Sequence, residues 1–152
     1  MTILVTGAAG FIGSNFVLDW FEHAKEDVVS LDLLTYAGNL ENLSPLKNNP
    51  QHHFIQGNIS DRDLVAELLK KHQVRAVVNF AAESHVDRSI SEPGGFIETN
   101  IVGTYNLLES VRSFWKDLDE NFKKAFPQIP VIWMEVSAGD EQVLLIQAED
   151  LR

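Results

Sequence analysis

Short apolar runs alternate along the chain with longer stretches in which apolar residues recur every three or four positions. The runs predict five strands, at residues 3–5, 28–31, 53–56, 76–80 and 131–136. The longer stretches predict helices over residues 11–22, 60–72 and 93–115. Strands and helices that alternate in this way indicate an α/β fold with helices on both faces of a parallel sheet. Right-handed crossovers then give the strand order 3-2-1-4-5 of a Rossmann-type, doubly wound sheet.

Local signals refine the ends of these elements. Ser60 is expected to cap the helix over residues 60–72, because a serine side chain accepts hydrogen bonds from free N–H groups at a helix start. Residues 33–46 are expected to form a polar loop. The first helix carries Phe11, Ile12, Phe16, Val17 and Trp20 at helical spacing, and its aromatic side chains are interpreted as core and not as cofactor contacts.

The last stretch of the sequence is ambiguous. Residues 142–152 carry apolar side chains at helical spacing, whereas the run at residues 143–146 equally predicts a strand. We also expect the fifth strand to form an exposed edge of the sheet, with the apolar run at residues 131–136 unpaired on one side.

Composition narrows the class of protein. A chain of 152 residues with 45% hydrophobic and 22% charged residues corresponds to about one globular domain. The formal net charge of −10 argues against a nucleic-acid or anionic membrane partner.

The absence of cysteine excludes disulfides and thiolate chemistry. His52, His53 and His72 lack metal-ligand spacing, so no metal site is predicted. No run approaches membrane-spanning length, and no signal-peptide pattern is present, so a cytoplasmic location is expected.

Three glycines directly after the first strand suggest a phosphate-binding turn. Gly7 permits a positive φ where the strand ends, and Gly10 permits close approach of a pyrophosphate to the backbone. Gly13 permits the first helix to pack closely on the strand. The start of that helix offers free N–H groups to an anion.

An acidic residue at the end of the second strand completes this pattern. Asp32 lies 19 positions after Gly13, the spacing at which a carboxylate accepts a hydrogen bond from a ribose 2′-hydroxyl and repels a 2′-phosphate. NAD is therefore favoured over NADP. The glycine turn, Asp32, Asn58 and residues 80–84 all follow strand ends, and we expect them to converge on one crevice.

Four strings of the sequence carry a more specific resemblance. They are residues 6–13 (TGAAGFIG), 34–43 (LTYAGNLENL), 81–90 (AAESHVDRSI) and 96–105 (FIETNIVGTY). Together they resemble the dTDP-glucose 4,6-dehydratase family of the extended short-chain dehydrogenase/reductases over about residues 1–126. The resemblance implies oxidation of a nucleotide sugar at C4 by NAD, loss of water across C5 and C6, and return of the hydride to C6.

The resemblance also implies roles for individual residues. The implied cofactor-binding residues are Gly7, Gly10, Phe11, Ile12, Gly13, Asp32, Leu33, Leu34, Thr35, Asn58, Ile59, Phe80, Ala81, Ala82, Glu83, Ser84 and Thr99. The implied residues for dTDP-glucose are Ser84, His85, Asp87 and Arg88. Leu33 and Asn58 depart from the family pattern, which has Lys and Asp there, so we expect weaker but retained cofactor binding. The family forms homodimers through two helices, of which only that at residues 93–115 is present here.

The residues that perform the family's chemistry have no clear counterparts. The family's Tyr-x-x-x-Lys is absent, because Tyr36 and Tyr105 are followed four positions later by Leu40 and Glu109. Asp140 and Glu141 resemble the family's acidic pair only in a shifted register. No catalytic residue is therefore assigned.

Two functional hypotheses follow. We expect residues 1–126 to form an NAD-binding domain, with residues 127–152 as a fifth strand and a tail unlike the family, and no separate substrate domain. One hypothesis is the cofactor-binding portion of a dehydratase that is inactive as these 152 residues. The alternative is a non-catalytic nucleotide-binding module or pseudoenzyme fragment. A frameshift, a misprediction or true divergence would each explain the tail.

Overall fold

A computed structural model describes residues 1–125, 130–137 and 140–147. The strands are β1 (Thr2–Thr6), β2 (Asp27–Asp32), β3 (His52–Gln56), β4 (Val74–Asn79), β5 (Pro130–Ser137) and β6 (Asp140–Gln147). The α-helices are α1 (Phe11–His23), α2 (Arg62–His72), α3 (Val86–Ser91), α4 (Pro93–Phe96), α5 (Thr104–Asp117) and α6 (Glu120–Ala125). A 3₁₀-helix spans Leu40–Leu46, and a π-helix spans Ile97–Gly103.

The sheet has the order β3-β2-β1-β4-β5-β6. The first five strands are parallel, so the predicted order 3-2-1-4-5 is confirmed. β6 adds an antiparallel strand, which pairs with β5 from Pro130↔Gln147 to Ser137↔Asp140. The expectation that the fifth strand is an exposed edge was therefore wrong, and the strand interpretation of residues 143–146 is confirmed over the helical one.

The two faces of the sheet carry two separate cores. In β1, Leu4 packs with residues of α2 and α5, whereas Ile3 and Val5 pack with residues of α1 and the 3₁₀-helix. Side chains alternate between the faces of a strand, so a central strand covered on both sides is apolar throughout. All five residues of β1 are buried, which explains its continuous apolar run.

Three local predictions need correction. Asp61, not Ser60, caps α2, because the Asp61 side chain accepts a hydrogen bond from the Leu64 N–H at 3.0 Å. The predicted polar loop contains the 3₁₀-helix, whose Asn39 cap accepts from the Glu41 N–H. The helix predicted over residues 93–115 is divided into α4, the π-helix and α5, in a segment rich in glycine and β-branched residues that disfavour the α conformation.

None of the helices in the described residues is long and apolar enough to cross a membrane.

Candidate functional site

A cleft opens where β1, β2, β3 and β4 end. It encloses about 100 Å³ and is lined by Gly7, Gly10, Asp32, Leu33, Thr35, Ala37, Gly38, Gly57, Asn58, Ile59, Phe80, Ala81, Ala82, Glu83 and Thr99. Apart from Asp32, the last residue of β2, and Thr99, every lining residue lies in the segments that follow β1, β2, β3 and β4. The cleft therefore occupies the crevice at which doubly wound sheets bind their ligands.

The glycine turn is closely packed at the floor of this cleft. Gly7 has a φ of +63°, and a Cβ atom on it would lie 2.5 Å from the carbonyl carbon of Phe80. A Cβ atom on Gly13 would lie 2.2 Å from the Gly7 carbonyl oxygen. Gly7 thus adopts the positive φ that we expected, and it also leaves the space that close contact with the chain after β4 requires. Gly13 permits α1 to pack against the turn itself, and not only against the strand as we expected.

Among the described residues, no side chain caps the N-terminus of α1. Its cap residue is Gly10, and no side-chain hydrogen bond to the cap is present among the described residues. The first N–H groups of a helix lack intrahelical partners and carry partial positive charge. This end of the 13-residue helix is therefore suited to an anion such as a diphosphate.

Phe11 and Ile12 lie on the outside of this helix start. Phe11 is 83% exposed, so its interpretation as a core residue was wrong, and Ile12 is 42% exposed. The buried face of α1 begins with Gly13, Ser14 and Val17 instead. Neither Phe11 nor Ile12 lines the cleft, although both belong to the turn that forms its floor.

Asp32 links the segments that follow β1 and β2. One of its carboxylate oxygens accepts a hydrogen bond from the Ala9 N–H at 2.8 Å, and the other accepts from the Leu34 N–H at 2.7 Å. The residue is only 8% exposed, yet it lines the cleft. A carboxylate offers about four acceptor positions, so two remain for the hydroxyls of a ribose.

The segment after β3 supplies the wall next to Asp32. Asn58 lines the cleft, and its side-chain oxygen accepts a hydrogen bond from the Ser60 N–H at 2.9 Å. The same oxygen keeps a second lone pair, and the amide nitrogen is a donor. An Asn side chain with both functions can recognise the edge of an adenine. Leu33, beside it, is 45% exposed at the rim.

The segment after β4 forms the opposite wall. Glu83 donates its backbone N–H to the side-chain oxygen of Asn100 at 2.8 Å, and Asn100 donates its side-chain N–H to the Glu83 carbonyl at 2.8 Å. The Tyr36 hydroxyl donates to the Glu83 carboxylate at 3.0 Å. The π-helix therefore fixes this wall through Asn100, while Thr99 lines the cleft directly.

Most of the predicted cofactor-binding residues are thus brought to one place. The predicted residues that do not line the cleft are Phe11, Ile12, Gly13, Leu34 and Ser84. Sequence reasoning missed Ala37, Gly38 and Gly57 as lining residues. Gly57 follows β3 directly, and Gly38 lies in the turn after β2, so their positions after strand ends were the available signal.

The residues predicted to contact a sugar nucleotide lie beyond this wall. Ser84 and His85 are exposed, and the His85 ring packs edge-on against Tyr36 with 6.3 Å between the ring centroids. The side chains of Asp87 and Arg88, in α3, lie outside the described part of the structure. Asp140 and Glu141 are the first residues of β6, and their side chains are likewise outside it.

Comparison with known proteins identifies the family. The family model described as GDP-mannose 4,6 dehydratase matches residues 4–126. A dTDP-glucose 4,6-dehydratase of Xanthomonas campestris pv. campestris is 56% identical over 135 residues, which cover 89% of this chain and 38% of the relative. The chain thus spans little more than a third of that relative's length.

Solved structures show the same relationship. The dTDP-glucose 4,6-dehydratase DesIV of Streptomyces venezuelae, solved with NAD bound, superposes with a TM-score of 0.70 at 46% identity, over 76% of this chain and 37% of that one. A dTDP-glucose 4,6-dehydratase of Bacillus anthracis, solved in complex with NAD, gives a TM-score of 0.67 at 35% identity, over 88% and 36%. The resemblance inferred from the four sequence strings is confirmed, and the chain belongs to the GDP-mannose 4,6 dehydratase family, within which it is similar to dTDP-glucose 4,6-dehydratases.

Proposed function

We propose that this chain binds NAD in the cleft at the ends of β1, β2, β3 and β4. The observation that carries the proposal is the convergence of the Gly7 turn, the uncapped start of α1 and the Asp32 carboxylate on that cleft. These are a surface for a diphosphate and an acceptor for a ribose, placed next to each other in the order that a dinucleotide requires. The NAD named for the two dehydratase structures supports the same cofactor.

The fit of the residues to NAD rests on the packing of the turn and on the donor set. A side chain at Gly7 or Gly13 would collide with backbone, so the floor of the cleft consists of main chain that a diphosphate can approach closely. Asp32 and Asn58 offer an acceptor for ribose hydroxyls and an amide for adenine. When bound, NAD supplies a hydride acceptor and donor.

Calorimetric titration with NAD and NADP tests this proposal. We expect NAD to bind more tightly than NADP, because the Asp32 carboxylate repels a 2′-phosphate. Asp32→Ala should weaken NAD by about 1–3 kcal/mol, because the ribose hydroxyls lose their acceptor, and should reduce the preference over NADP. Asp63→Ala, an exposed carboxylate in the first turn of α2, serves as the control with the same charge change. Equal or tighter NADP binding by the unaltered chain would refute the proposal.

We propose further that the substrate of the whole protein is dTDP-glucose. The support is the similarity to dTDP-glucose 4,6-dehydratases, together with the position of Ser84 and His85 next to the wall formed by residues 80–83. For the 152 residues themselves we propose cofactor binding without turnover, because the sequence holds no Tyr-x-x-x-Lys. The non-catalytic nucleotide-binding module stays the alternative.

The family's homodimer is the proposed assembly. Ile97, Ile101 and Tyr105 are 55%, 63% and 58% exposed, and they follow one another at intervals of four along the π-helix and the start of α5. A row of exposed apolar side chains on a helix is typical of an interaction surface.

A cytoplasmic location stays a prediction.

A further inference from the structure

We infer that Asn42 is a positioning residue, which holds the glycine turn in the shape that receives the diphosphate of a dinucleotide. The inference rests on the proposed NAD binding and concerns a residue outside the cleft. Asn42 acts through Ala9, the residue directly before Gly10 in the turn.

Both backbone groups of Ala9 are held from the segment that follows β2. The Ala9 carbonyl oxygen accepts two hydrogen bonds at 3.0 Å, one from the Asn42 side-chain amide and one from the Asn39 backbone N–H. The Ala9 N–H donates to the Asp32 carboxylate at 2.8 Å. Ala9 is fully buried, whereas Asn42 is exposed and its bond to Ala9 is part-buried, so these bonds are partly shielded from water.

These bonds fix the two peptide planes on either side of Ala9. A peptide unit is planar, so the direction of the Ala9 carbonyl determines the direction of the Gly10 N–H on the opposite side of the same plane. The Gly10 N–H donates to the Gly7 carbonyl at 3.2 Å, which closes the turn. Asn42 therefore controls the orientation of the backbone with which a diphosphate would make contact.

Asn42 itself is carried by a well-anchored element. It lies in the 3₁₀-helix, whose Leu43 and Leu46 are buried in the same core as Ala8 and Ala9. The cap of this helix, Asn39, accepts a hydrogen bond from the Glu41 N–H at 3.0 Å. The 3₁₀-helix thus packs directly against the glycine turn. Among its described residues, Asn42 is the one whose side-chain amide reaches that turn.

The test compares ligands that do and do not reach the turn. NAD contains the diphosphate, whereas adenosine contains only the groups expected at Asp32 and Asn58. For Asn42→Ala we expect NAD affinity to fall roughly three- to tenfold, the effect of one net hydrogen bond, and adenosine affinity to change less than about twofold. Calorimetry measures the NAD affinity, and a chemical-shift titration measures the adenosine affinity. A variant that merely loosens the fold would weaken both ligands alike.

A second variant and a ligand-free measurement complete the experiment. Asn42→Asp keeps the size but removes the donor. Asn49→Asp is its charge-matched control, because among the described residues the Asn49 side chain is an acceptor, from the Gln51 N–H, and donates to none. Asn42→Asp should weaken NAD more than Asn49→Asp does. Without ligand, Asn42→Ala should accelerate amide exchange at Ala9 and Gly10 at least about fivefold, with exchange in β1 unchanged.

The outcomes separate this inference from the proposed function. If the unaltered chain fails to bind NAD, the proposed function is overturned, and amide exchange still decides the role of Asn42. If the unaltered chain binds NAD and Asn42→Ala binds it equally well, only the present inference is overturned. If both Asn42 variants lose cooperative unfolding while Asn49→Asp keeps it, Asn42 serves folding and not positioning, and the inference is again overturned.

Discussion

The carboxamide of Asn100 makes a reciprocal pair of hydrogen bonds with the backbone of Glu83, accepting from its N–H and donating to its carbonyl, both at 2.8 Å. The two residues are 17 positions apart, one in the π-helix and the other in the segment after β4. A side-chain amide that satisfies both groups of one residue replaces the pairing that a neighbouring strand would give. The wall of the cleft therefore keeps a defined shape after β4 has ended.

Asn100→Ala is expected to loosen this wall. The loss of two partly buried hydrogen bonds should lower the free energy of unfolding by about 1–3 kcal/mol and should also weaken NAD binding. Asn106→Ala is the matched control: Asn106 lies in α5, does not line the cleft, and donates its side-chain N–H to the Ser60 carbonyl at 2.9 Å. Urea unfolding and calorimetry should show a loss of stability in both variants but a loss of NAD affinity only in the first.

Gly7→Ala is expected to be severely destabilising. A Cβ atom at this position would lie 2.5 Å from the Phe80 carbonyl carbon, and the φ of +63° is itself unfavourable for alanine. We expect a loss of at least about 2 kcal/mol in the free energy of unfolding. Gly95→Ala is the control, because nothing lies within 4 Å of its added Cβ atom. Similar stabilities of the two variants would contradict this packing of the turn.

Stability should decrease below about pH 6.5 because of two histidines. Burial, reinforced by His53, lowers the pKa of His52, and burial, reinforced by His53 and Lys71, lowers the pKa of His72. The unfolded chain, with histidine pKa values near 6.5, binds these protons first as the pH falls. Stability is therefore complete above pH 6.5 and decreases as the pH falls from there through the lowered folded-state pKa values.

Urea unfolding at a series of pH values measures this loss. His52→Gln and His72→Gln should each flatten the profile. His23→Gln should not, because the hydrogen bond to the Asp19 backbone carbonyl, together with the charge of the Asp19 carboxylate, raises the pKa of His23, which reverses the sign of its contribution. A profile that is unchanged by both of the first two variants would show that other groups govern the acid sensitivity.

The 152-residue chain is expected not to turn over dTDP-glucose. Neither of its two tyrosines is followed by a lysine four positions later, and loss of a positioned general base alone costs about 10²–10⁴ in rate. An overnight incubation with NAD and dTDP-glucose should yield no 4-keto product above background. Product that disappears in Asp140→Ala would instead reveal a rearranged active site that includes the start of β6.

Self-association is expected to depend on the exposed row on the π-helix and α5. Ile101→Lys places a charge in the middle of Ile97, Ile101 and Tyr105, and it should shift size-exclusion elution toward the monomer. Leu40→Lys, at a 47% exposed leucine in the 3₁₀-helix, is the control. A stable, monodisperse monomer of the unaltered chain would argue against this surface.

The strand order and the place of the cleft were predictable because they depend on local patterns. The apolar run of β1 and the glycines that follow it lie within 13 residues, and Asp32 lies at the end of the next strand. Parallel topology then brings strand ends together without any knowledge of side-chain contacts. The sequence resemblance added residues such as Thr99, whose distance along the chain gives no local signal.

Other features depend on contacts that no local pattern encodes. Ser60 and Asp61 are both good caps, and only the path of the chain decides that Asp61 accepts from Leu64. Phe11 follows the helical pattern of the core but lies before the buried face of α1 begins. The pairing of β6 with β5 was missed because a short apolar run fits a helix or a strand equally.

The π-helix has a consequence for how the chain tolerates changes in length. Its i→i+5 bonding accommodates extra residues relative to an α-helix, and each residue of an α-helix turns the chain by about 100°. Deletion of one residue between Asn100 and Thr104 would permit a regular α-helix, which is by itself the more favourable helical conformation. It would also rotate Thr99 and Asn100 away from the cleft while α5 kept its place on the sheet. The π-helix, although locally less favourable than an α-helix, is thus what allows Thr99 and Asn100 to face the cleft while α5 packs on the sheet.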